Sequence, residues 1–390
     1  MKAVGALGIG AAAGSASLQA ADSVPAPAPM PTRTYGKTGV KVPILALGGI
    51  FDITMNQLVL QRALDLGVTY WDTAHVYTNG KSELGIGMYF EKNPAARKKI
   101  FLVTKAGGPF TPENLERTLQ ESFQRMKTDS VDLFFLHGIG SAGALNQEVK
   151  AWADKAKAAN KIRFIGFSTH GNMEKTLMDA SKVSWIDGIM LKYDYRLMQT
   201  DSMRAAVDAC HAAGIGLTAM KTQGGGPLKA ENEADLKLGG HFLNKGFTEH
   251  QAKLKAVWEN SHIASICSQM GSVTVLNANA AAARDKTKLA EADLKILREH
   301  ATATSERYCA GCTELCEGAL GNCIPVGDIM RCLMYQRYYG DRELAHATFG
   351  QLPDRTRELL ANADFSAAEH VCPQKLPIAG LMREAQKLFC

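Results

Sequence analysis

The chain has 390 residues, of which 46% are hydrophobic and 21% are charged, and its formal net charge is +5. This composition is typical of a globular protein and excludes a largely disordered chain. The positive charges form no basic block, so the sequence predicts no nucleic-acid partner. Nine cysteines are unevenly placed, and five of them fall between residues 309 and 332. In a protein of this size such clustering indicates metal ligands more than a disulfide framework.

Residues 1–21 are similar to an export signal. Lys2 precedes an Ala/Gly-rich apolar stretch that is too short and too weakly apolar for a stable membrane span. The stretch resembles the later part of a twin-arginine signal, whose arginine pair would lie upstream of Met1. Residues 22–32, rich in proline and alanine, are expected to form an extended linker. This organisation predicts a protein of the periplasm or cell envelope, and the alternative is a cytoplasmic protein with an Ala-rich tail.

Strand-like and helix-like segments alternate over residues 33–300. The strand-like segments are KVPILALGG, VTYWDTA, KIFLVTKAG, VDLFFLHG, IRFIGFS, IDGIMLKYDY, IGLTAMK and IASICS. A segment of helical character follows each of them, and the helix after the third begins with Thr-Pro, a favoured start. The pattern predicts an α/β fold, a (β/α)8 TIM barrel. A doubly wound open sheet is disfavoured because no Gly-x-Gly-x-x-Gly turn follows a strand.

Titratable side chains stand at the ends of three neighbouring predicted strands. The second strand ends in Asp72, with Tyr77 in the loop beyond, the third ends in Lys105, and the fourth ends in His137. In a barrel these ends meet at the face that carries the chemistry. Because a buried carboxylate or ammonium group is costly unless it is paired, we expect Asp72 to pair with Lys105.

An aspartate–lysine pair beneath a tyrosine predicts carbonyl chemistry. The lysine cation stabilises a phenolate and would lower the pKa of Tyr77 from its usual value of about 10. Tyr77 could then give its proton to a carbonyl oxygen while hydride arrives at the carbon, and His137 would position the same oxygen. Glu83 is expected to order the loop or to cap the next helix. His75 and His170 are expected to be loop or rim histidines.

The segments TYWDTAHVYTNGKSELGIG, FLVTKAG and DLFFLHG resemble three signature segments of the aldo-keto reductases, and YGKTGVKVPILALGG resembles that family's N-terminal hairpin and first strand. The resemblance covers residues 34–284. It implies that Asp72, Tyr77, Lys105 and His137 form a catalytic tetrad. It also implies an oxidoreductase that interconverts a small-molecule carbonyl and its alcohol, with NADP or NAD as the cofactor.

The same resemblance implies a nucleotide site across the strand ends. The residues implied are Ser168, Thr169, Met190, Tyr193, Lys221, Gly271, Ser272 and Asn279. Ser168 matches a serine that contacts the nicotinamide amide, Lys221 with the KTQGGG backbone would contact phosphate, and Asn279 would meet adenine. No Lys or Arg occurs from residue 262 to 283, where NADP-selective relatives place a cation, so the choice between NADP and NAD stays open.

The cysteine-rich tail, residues 301–390, is expected to be a mostly helical, ferredoxin-like extension. Its C-x2-C-x3-C-x6-C run and a later Cys-Pro pair resemble ferredoxin half-motifs. The resemblance implies one [4Fe-4S] iron–sulfur cluster. Its ligands would be Cys309, Cys312, Cys316 and Cys372, with Cys323 as the alternative fourth ligand. Zinc is the alternative metal, because it also binds thiolate-rich sites.

These features together predict an exported oxidoreductase with an iron–sulfur extension. Because no free NADPH pool exists outside the cytoplasm, the nucleotide is expected to be tightly bound, or the cluster supplies electrons from a redox partner. The alternative is a catalytically inactive barrel that acts as an iron–sulfur electron-transfer or binding protein. Within the extension, DIMRCLMYQRYY predicts an amphipathic helix with Cys332 in its core.

Overall fold

The computed structural model describes residues 28–224 and 233–390. The expected signal peptide, most of the expected linker and the last two glycines of KTQGGG lie outside the described residues. Within them, no helix combines the length and the apolarity that crossing a membrane requires.

Eight parallel strands close into a barrel. They are β3 (Leu45–Gly48), β4 (Tyr70–Asp72), β5 (Phe101–Ala106), β6 (Val131–Leu136), β7 (Ile162–Thr169), β8 (Gly188–Lys192), β9 (Gly216–Met220) and β10 (Ile263–Gln269), after a separate hairpin of β1 (Thr32–Thr34) and β2 (Lys41–Pro43). Strand β10 pairs with β3, which closes the sheet. The (β/α)8 prediction is confirmed, and the open doubly wound sheet is wrong because such a sheet leaves two edge strands unpaired.

The hairpin covers the N-terminal end of the barrel and plugs its interior with Tyr35. The Tyr35 ring lies against Gly188 and Gly216, where any added Cβ would approach within 2.5 Å of it. Two barrel glycines therefore leave the space that the plug fills. This end is closed by packing, so the opposite end, where the strands finish, is the open mouth of the barrel.

A layer of helices surrounds the strands. The helices are α1 (Leu58–Asp65), α2 (Lys81–Lys92), α3 (Pro112–Met126), α4 (Gln147–Ala158), α5 (Met173–Ala180), α6 (Asp201–Ala212), α7 (Glu233–Leu243), α8 (Glu249–Trp258) and α9 (Val273–Arg284). Their starts follow local chemistry: Thr111 caps α3, and Thr248 forms a capping box with Gln251 at α8. Helix α7 occupies a stretch in which the sequence pattern predicts no regular element.

The remaining chain is helical, as predicted. It contains α10 (Glu291–Ala303), α11 (Thr313–Cys316), α12 (Val326–Arg337), α13 (Arg342–Phe349), α14 (Arg355–Asn362), α15 (Ser366–His370) and α16 (Ile378–Phe389). The predicted boundary between residues 300 and 301 falls inside α10. That helix packs on the barrel side, because the ring nitrogens of His300 bond Tyr195 at 3.1 Å and Asp235 at 3.0 Å. A second hydrophobic core begins at Ile324 and includes the buried Cys332, as predicted.

The extension, meaning the chain from residue 304 onward, docks on the mouth of the barrel. The backbone N–H of Asn172 donates to the Gly311 carbonyl at 2.8 Å, and the Asn172 side chain accepts from the Glu314 N–H at 2.9 Å. Lys192, at the end of β8, donates to the Cys309 carbonyl at 2.5 Å. These bonds join the cysteine-rich segment to the strand ends that carry the predicted site.

Candidate functional site

The register of the strands places the predicted tetrad at one end of the barrel. Asp72 pairs with Val103 of β5, and Lys105 lies two residues farther along the same strand. Because side chains alternate between the two faces of a strand, Lys105 and Val103 share a face, which points into the barrel. His137 directly follows β6, and its backbone N–H donates to the Ala106 carbonyl at 2.8 Å. The predicted side chains therefore converge at the barrel mouth.

Lys105 is the centre of this site. Its ammonium nitrogen donates to Asp72 Oδ2 at 2.6 Å, to the Thr73 carbonyl at 2.7 Å and to the Tyr77 hydroxyl oxygen at 3.3 Å. Lys105 and Asp72 are only 1% and 2% exposed, so each needs the other to offset its desolvation. Three N–H groups have three acceptors, and the third acceptor is the phenol oxygen.

Burial sets the protonation of Tyr77 and His137. Burial, together with the nearby Asp72 charge, raises the pKa of Tyr77 well above its usual value. The prediction that this pKa lies below its usual value is therefore wrong, because burial and the Asp72 charge raise it. Burial and the cation of Lys105 hold the pKa of His137 well below its usual value. At neutral pH the pair is a neutral phenol and a neutral imidazole, with ring centroids 5.6 Å apart.

A cavity of about 380 Å³ opens beside this pair, and we call it the catalytic cavity. The barrel lines it with Asp72, Tyr77 and His137. The extension lines the other side with Asp328, Arg331, Tyr335, Tyr338 and Tyr339. The site is thus enclosed between the strand ends and α12.

Sequence reasoning missed the extension's contribution. Asp328, Arg331, Tyr335 and Tyr338 follow one another at spacings of three, four and three residues, which places them on one face of a helix. This polar and aromatic stripe was visible in DIMRCLMYQRYY, where only the buried face was interpreted. What the pattern could not indicate is the partner surface, which is the barrel mouth.

Three further barrel residues face the catalytic cavity. They are His170, Lys221 and Cys267. His170 directly follows β7 at the barrel mouth, in keeping with a loop or rim position, and among the described residues its buried Nδ1 has no hydrogen-bond partner. Cys267 lies near the tetrad aspartate, and burial and the Asp72 charge raise the pKa of its thiol well above the usual value. Burial lowers the pKa of Lys221.

The predicted nucleotide residues do not all reach the catalytic cavity. Met190 and Lys221 line it. Ser168 and Thr169 are buried at the end of β7 and are bonded locally: the Ser168 hydroxyl accepts from the Gly138 N–H at 2.9 Å, and the Thr169 hydroxyl donates to the Gly171 carbonyl at 3.1 Å.

Tyr193 points away from the site. Met190 and Lys192 face the barrel mouth, and alternation along the strand turns the next residue to the outer face. The Tyr193 ring is buried against the surrounding helices, and its hydroxyl accepts from Asn260 at 2.9 Å. Tyr193 is therefore placed as a core residue, which corrects the prediction that it binds cofactor.

The residues after β10 that were predicted to bind the nucleotide lie in different surroundings. Ser272 caps α9 by accepting from the Val275 N–H, and the Gly271 carbonyl accepts from Asn56 at 2.7 Å. Asn279 donates to the Ser268 hydroxyl at 3.1 Å, and Ser268 lines the catalytic cavity. Arg284, the first cation after this stretch, donates to the Leu66 carbonyl instead of facing the cavity.

Glu83 and His75 are polar residues that hold the segment after β4 in place. Glu83, in the first turn of α2, accepts from the Thr104 hydroxyl at 2.6 Å and from Arg125 at 3.2 Å. Arg125 also donates to the His75 carbonyl at 2.8 Å, so Glu83 orders the loop. The His75 ring pairs with Glu121 at 2.6 Å and therefore lies outside the tetrad.

Four cysteines of the extension surround a second, largely apolar cavity, which we call the cysteine cavity. They are Cys309, Cys312, Cys316 and Cys372. Cys323 is exposed and does not line it. Burial raises the pKa of the Cys309 thiol, that of Cys312 to about 11 and that of Cys316 to about 12. Neighbouring thiols add to each of these upward pKa shifts.

The thiols around the cysteine cavity are potential metal ligands, and different metal groups would place them differently. In residues 28–224 and 233–390, no set of three or more His, Cys, Asp or Glu side chains is placed to hold a single metal ion. A single zinc would require four sulfur atoms at about 2.3 Å from one point. An iron–sulfur cluster puts an iron atom between each thiolate and the shared centre, so its thiolates stand farther apart. The donor set is four thiols in an apolar wall, which is the chemistry that such clusters use.

One helix joins the two cavities. Helix α12 contributes Val326 and Met330 to the cysteine cavity, and Arg331 and Tyr335 to the catalytic cavity. A further cavity of about 70 Å³ shares lining residues with both, including Cys309 of the cysteine cavity and Arg331 of the catalytic cavity. The two sites are therefore neighbours within one structure.

Comparison with known proteins agrees with this geometry. Residues 52–287, more than half of the chain, match the model of the Aldo/keto reductase family. The aldo-keto reductase yakc [NADP(+)] of Schizosaccharomyces pombe is 31% identical over 42% of this chain and 52% of its own length. The uncharacterized oxidoreductase YrpG of Bacillus subtilis is 26% identical over 50% of this chain and 67% of its own length. The chain thus spans about half to two thirds of these relatives.

Solved structures share the fold. The aldo-keto reductase AKR11C1 of Bacillus halodurans superposes with a TM-score of 0.57 at 21% identity, over 70% of this chain and 96% of its own length. The thermostable aldo-keto reductase Tm1743, solved with the inhibitor epalrestat, gives a TM-score of 0.56 at 24% identity, over 70% of this chain and 100% of its own length. These structures account for the barrel and leave a substantial part of the chain unmatched.

Proposed function

This chain belongs to the aldo/keto reductase family, and from that premise we propose that it is an oxidoreductase that interconverts a small carbonyl compound and its alcohol. The observation that carries the proposal is the bonding of one buried ammonium group, Lys105, to Asp72, Thr73 and Tyr77. A phenol bonded in this way, at the mouth of a cavity, has the surroundings of a general acid.

Tyr77 is proposed as the acid that protonates the carbonyl oxygen. Since an ammonium group has no acceptor, Lys105 must donate to the phenol oxygen. The O–H of Tyr77 is then free to point into the catalytic cavity. Burial keeps the pKa of Tyr77 high, so the proton is in place at neutral pH. Lys105 fixes the oxygen and offsets the negative charge that forms on it as the proton leaves.

His137 is proposed to position the carbonyl. Its lowered pKa leaves the imidazole neutral, so one ring nitrogen can donate a hydrogen bond to the carbonyl oxygen. Asp72 orients Lys105 through the bond of 2.6 Å and has no direct contact with the substrate in this scheme. Two donors on one oxygen, Tyr77 and His137, would polarise the carbonyl toward reduction.

The cofactor is proposed to be NADP or NAD. A nicotinamide, when bound, supplies the hydride that the carbonyl carbon accepts. Met190 and Lys221 line the catalytic cavity and could contact it, while Ser168, Thr169 and Asn279 support the walls behind. The NADP(+) dependence in the name of the Schizosaccharomyces pombe relative supports the nucleotide assignment. No Lys or Arg follows β10 until Arg284, so the sequence does not decide between NADP and NAD.

The extension is proposed to hold one [4Fe-4S] cluster on Cys309, Cys312, Cys316 and Cys372. Support comes from the common cavity of these four thiols and from the exposure of Cys323 outside it.

The protein is further proposed to be exported to the periplasm or cell envelope, on the N-terminal signal that the sequence resembles. In that compartment the nucleotide would be carried out tightly bound, or electrons would arrive from a redox partner through the cluster. The closeness of the cysteine cavity to the catalytic cavity supports the second route, because α12 lines both.

A second function has one specific observation in its favour. Tyr193 is buried outside the catalytic cavity and Arg284 is turned away from it, so two positions near a nucleotide site make no contact with the cavity. An inactive barrel that serves as an electron-transfer or binding protein would have the same features. The Lys105–Tyr77 hydrogen bond argues against this second function, because an inactive barrel has no use for it.

The test is turnover of a panel of small aldehydes and ketones by anaerobically purified full-length protein, with NADPH and with NADH. We expect carbonyl reduction by the wild type and a loss of about 10²- to 10⁴-fold in Tyr77→Phe. Tyr89→Phe is the matched control, because that buried hydroxyl bonds Gln61 at 2.8 Å on the outer helices. Equal rates in Tyr77→Phe and the wild type would favour the inactive-barrel alternative.

A further inference from the structure

Two cations face the catalytic cavity and are not fully neutralised. Arg331 reaches it from α12, and Lys221 stands just past β9. The two carboxylates that line the same cavity are already engaged, Asp72 with Lys105 at 2.6 Å and Asp328 with Arg331 at 2.9 Å. In the part of the chain that the structure describes, Lys221 forms no ion pair. Counted together with Lys105, which neutralises Asp72, the groups around the cavity comprise three cations and two carboxylates, so one positive charge is left unbalanced.

Arg331 is close to the reacting groups and offers further donors. Asp328 engages one terminal nitrogen of its guanidinium group, which leaves the rest of the planar fork for another acceptor. Its charge is near enough to favour the phenolate of Tyr77 and to disfavour a charged His137. A half-buried arginine beside a carbonyl site is well suited to a carboxylate or phosphate oxygen pair.

Lys221 is held beside Arg331 in a strained backbone conformation. Its φ is 55°, in the left-handed region that residues other than glycine seldom adopt. Its ammonium nitrogen lies 3.5 Å from the Tyr335 hydroxyl, and 5.0 Å and 5.6 Å from the ring centroids of Tyr335 and Tyr339. These rings orient the cation without cancelling its charge. The unpartnered, buried Nδ1 of His170 borders the same space.

We propose that Arg331 and Lys221 bind an anionic group of the substrate, so that this oxidoreductase acts on carbonyl compounds that carry a carboxylate or a phosphate. The inference rests on the proposed function, in which Tyr77 and His137 hold the carbonyl itself. It assigns the extension a role in substrate choice, because Arg331 comes from α12 and not from the barrel. The same anionic chemistry could come from the cofactor's phosphates, and the experiment separates the two sources.

The experiment compares two aldehydes that differ mainly in charge, 4-carboxybenzaldehyde and its methyl ester. We expect Arg331→Met to lower kcat/KM for the carboxylate by about 10- to 100-fold, the range for a lost charged hydrogen bond. The loss for the ester should be clearly smaller, because only the carboxylate forms the charged hydrogen bond with Arg331. Arg342→Met is the control, since that arginine is exposed on α13 and makes the same change in charge. NADPH affinity is measured for each variant by fluorescence titration.

Two results would overturn the inference while leaving the proposed function intact. Equal losses for both aldehydes would mean that Arg331 is only structural. Weaker NADPH binding with an unchanged ratio between the aldehydes would assign the anion to the cofactor. The proposed function fails by a different result, which is the absence of turnover with either aldehyde.

A binding measurement keeps the inference testable in that last case. Calorimetric titration of the full chain with benzoate needs no turnover. We expect benzoate to bind the wild type and Arg342→Met alike, and to bind Arg331→Met and Lys221→Met at least tenfold more weakly. Equal benzoate affinity in all four proteins contradicts an anion subsite.

Discussion

The barrel and the extension hold their key residues in different ways. In the barrel, strand register places Asp72 and Lys105, and they pair with each other at 2.6 Å. In the extension, the four cysteines come from loops and from α11, a helix of four residues, and their thiols are not bonded to one another. The barrel site is therefore complete through the protein's own bonds, whereas the walls of the cysteine cavity would be tied together by the proposed cluster.

The first prediction tests whether the barrel site depends on its buried pair. Lys105→Met should reduce carbonyl reduction by at least about 10²-fold and lower the free energy of unfolding by about 3–5 kcal/mol. The reason is that Asp72 would remain charged, buried and unpaired. Activity and urea denaturation measure the two effects.

A double variant separates these effects. Lys105→Met with Asp72→Asn removes both charges, so most of the stability should return, while activity should stay low because Tyr77 still lacks its donor. If the double variant recovers activity together with stability, the pair has only a structural role.

The second prediction tests whether the extension depends on metal. Cys312→Ser should abolish the iron and acid-labile sulfide of anaerobically purified protein, together with its visible absorption. The matched control is Cys323→Ser, which should keep them, because that cysteine is exposed outside the cysteine cavity. Limited proteolysis should then cut Cys312→Ser between residues 309 and 323 while the barrel stays intact.

Two outcomes would contradict this assignment. Equal iron content in Cys312→Ser and Cys323→Ser excludes the ligand set. Zinc at one equivalent per chain, with no iron under strictly anaerobic purification, would replace the cluster by the alternative metal.

The third prediction is a small effect and concerns pH. Because the pKa of Tyr77 is raised above about 10, the phenol stays protonated as pH increases, so carbonyl reduction should show no basic limb below pH about 10. Since the pKa of His137 is lowered, no acidic limb is expected down to pH about 6.5. Alcohol oxidation needs the phenolate and should rise over the same range. A reduction rate that falls between pH 7 and 8 would mean that bound cofactor lets Lys105 lower the tyrosine pKa.

Most residues of the barrel site could be predicted from the sequence because each is identified by the short strand pattern around it. An apolar strand that ends in Asp72 or Lys105 marks its own position, and strand alternation fixes the inward face. The same alternation, applied beyond Met190, would have predicted that Tyr193 points outward. Helix α10 continues past residue 300 because its helical pattern continues, so that boundary was also readable.

The role of the extension at the active site was not readable in the same way. Arg331 and Tyr335 lie on one face of α12, but the sequence does not specify which surface that face meets. The docking bonds join residues far apart in the chain, such as Asn172 with Gly311, and no periodicity predicts such pairs. The four cysteines were predicted as ligands because their spacing resembles a ferredoxin motif. That they line one cavity is seen only in the structure.

The central claim is that Tyr77 delivers a proton while hydride reaches the carbonyl carbon. The most direct measurement is a single turnover with nicotinamide deuterated at C4, following deuterium in the alcohol product by mass spectrometry. Wild-type protein should place deuterium on the carbinol carbon, and Tyr77→Phe should do so at least about 100-fold more slowly with unchanged nucleotide affinity. Transfer at the wild-type rate in Tyr77→Phe, or product without deuterium, would contradict the account.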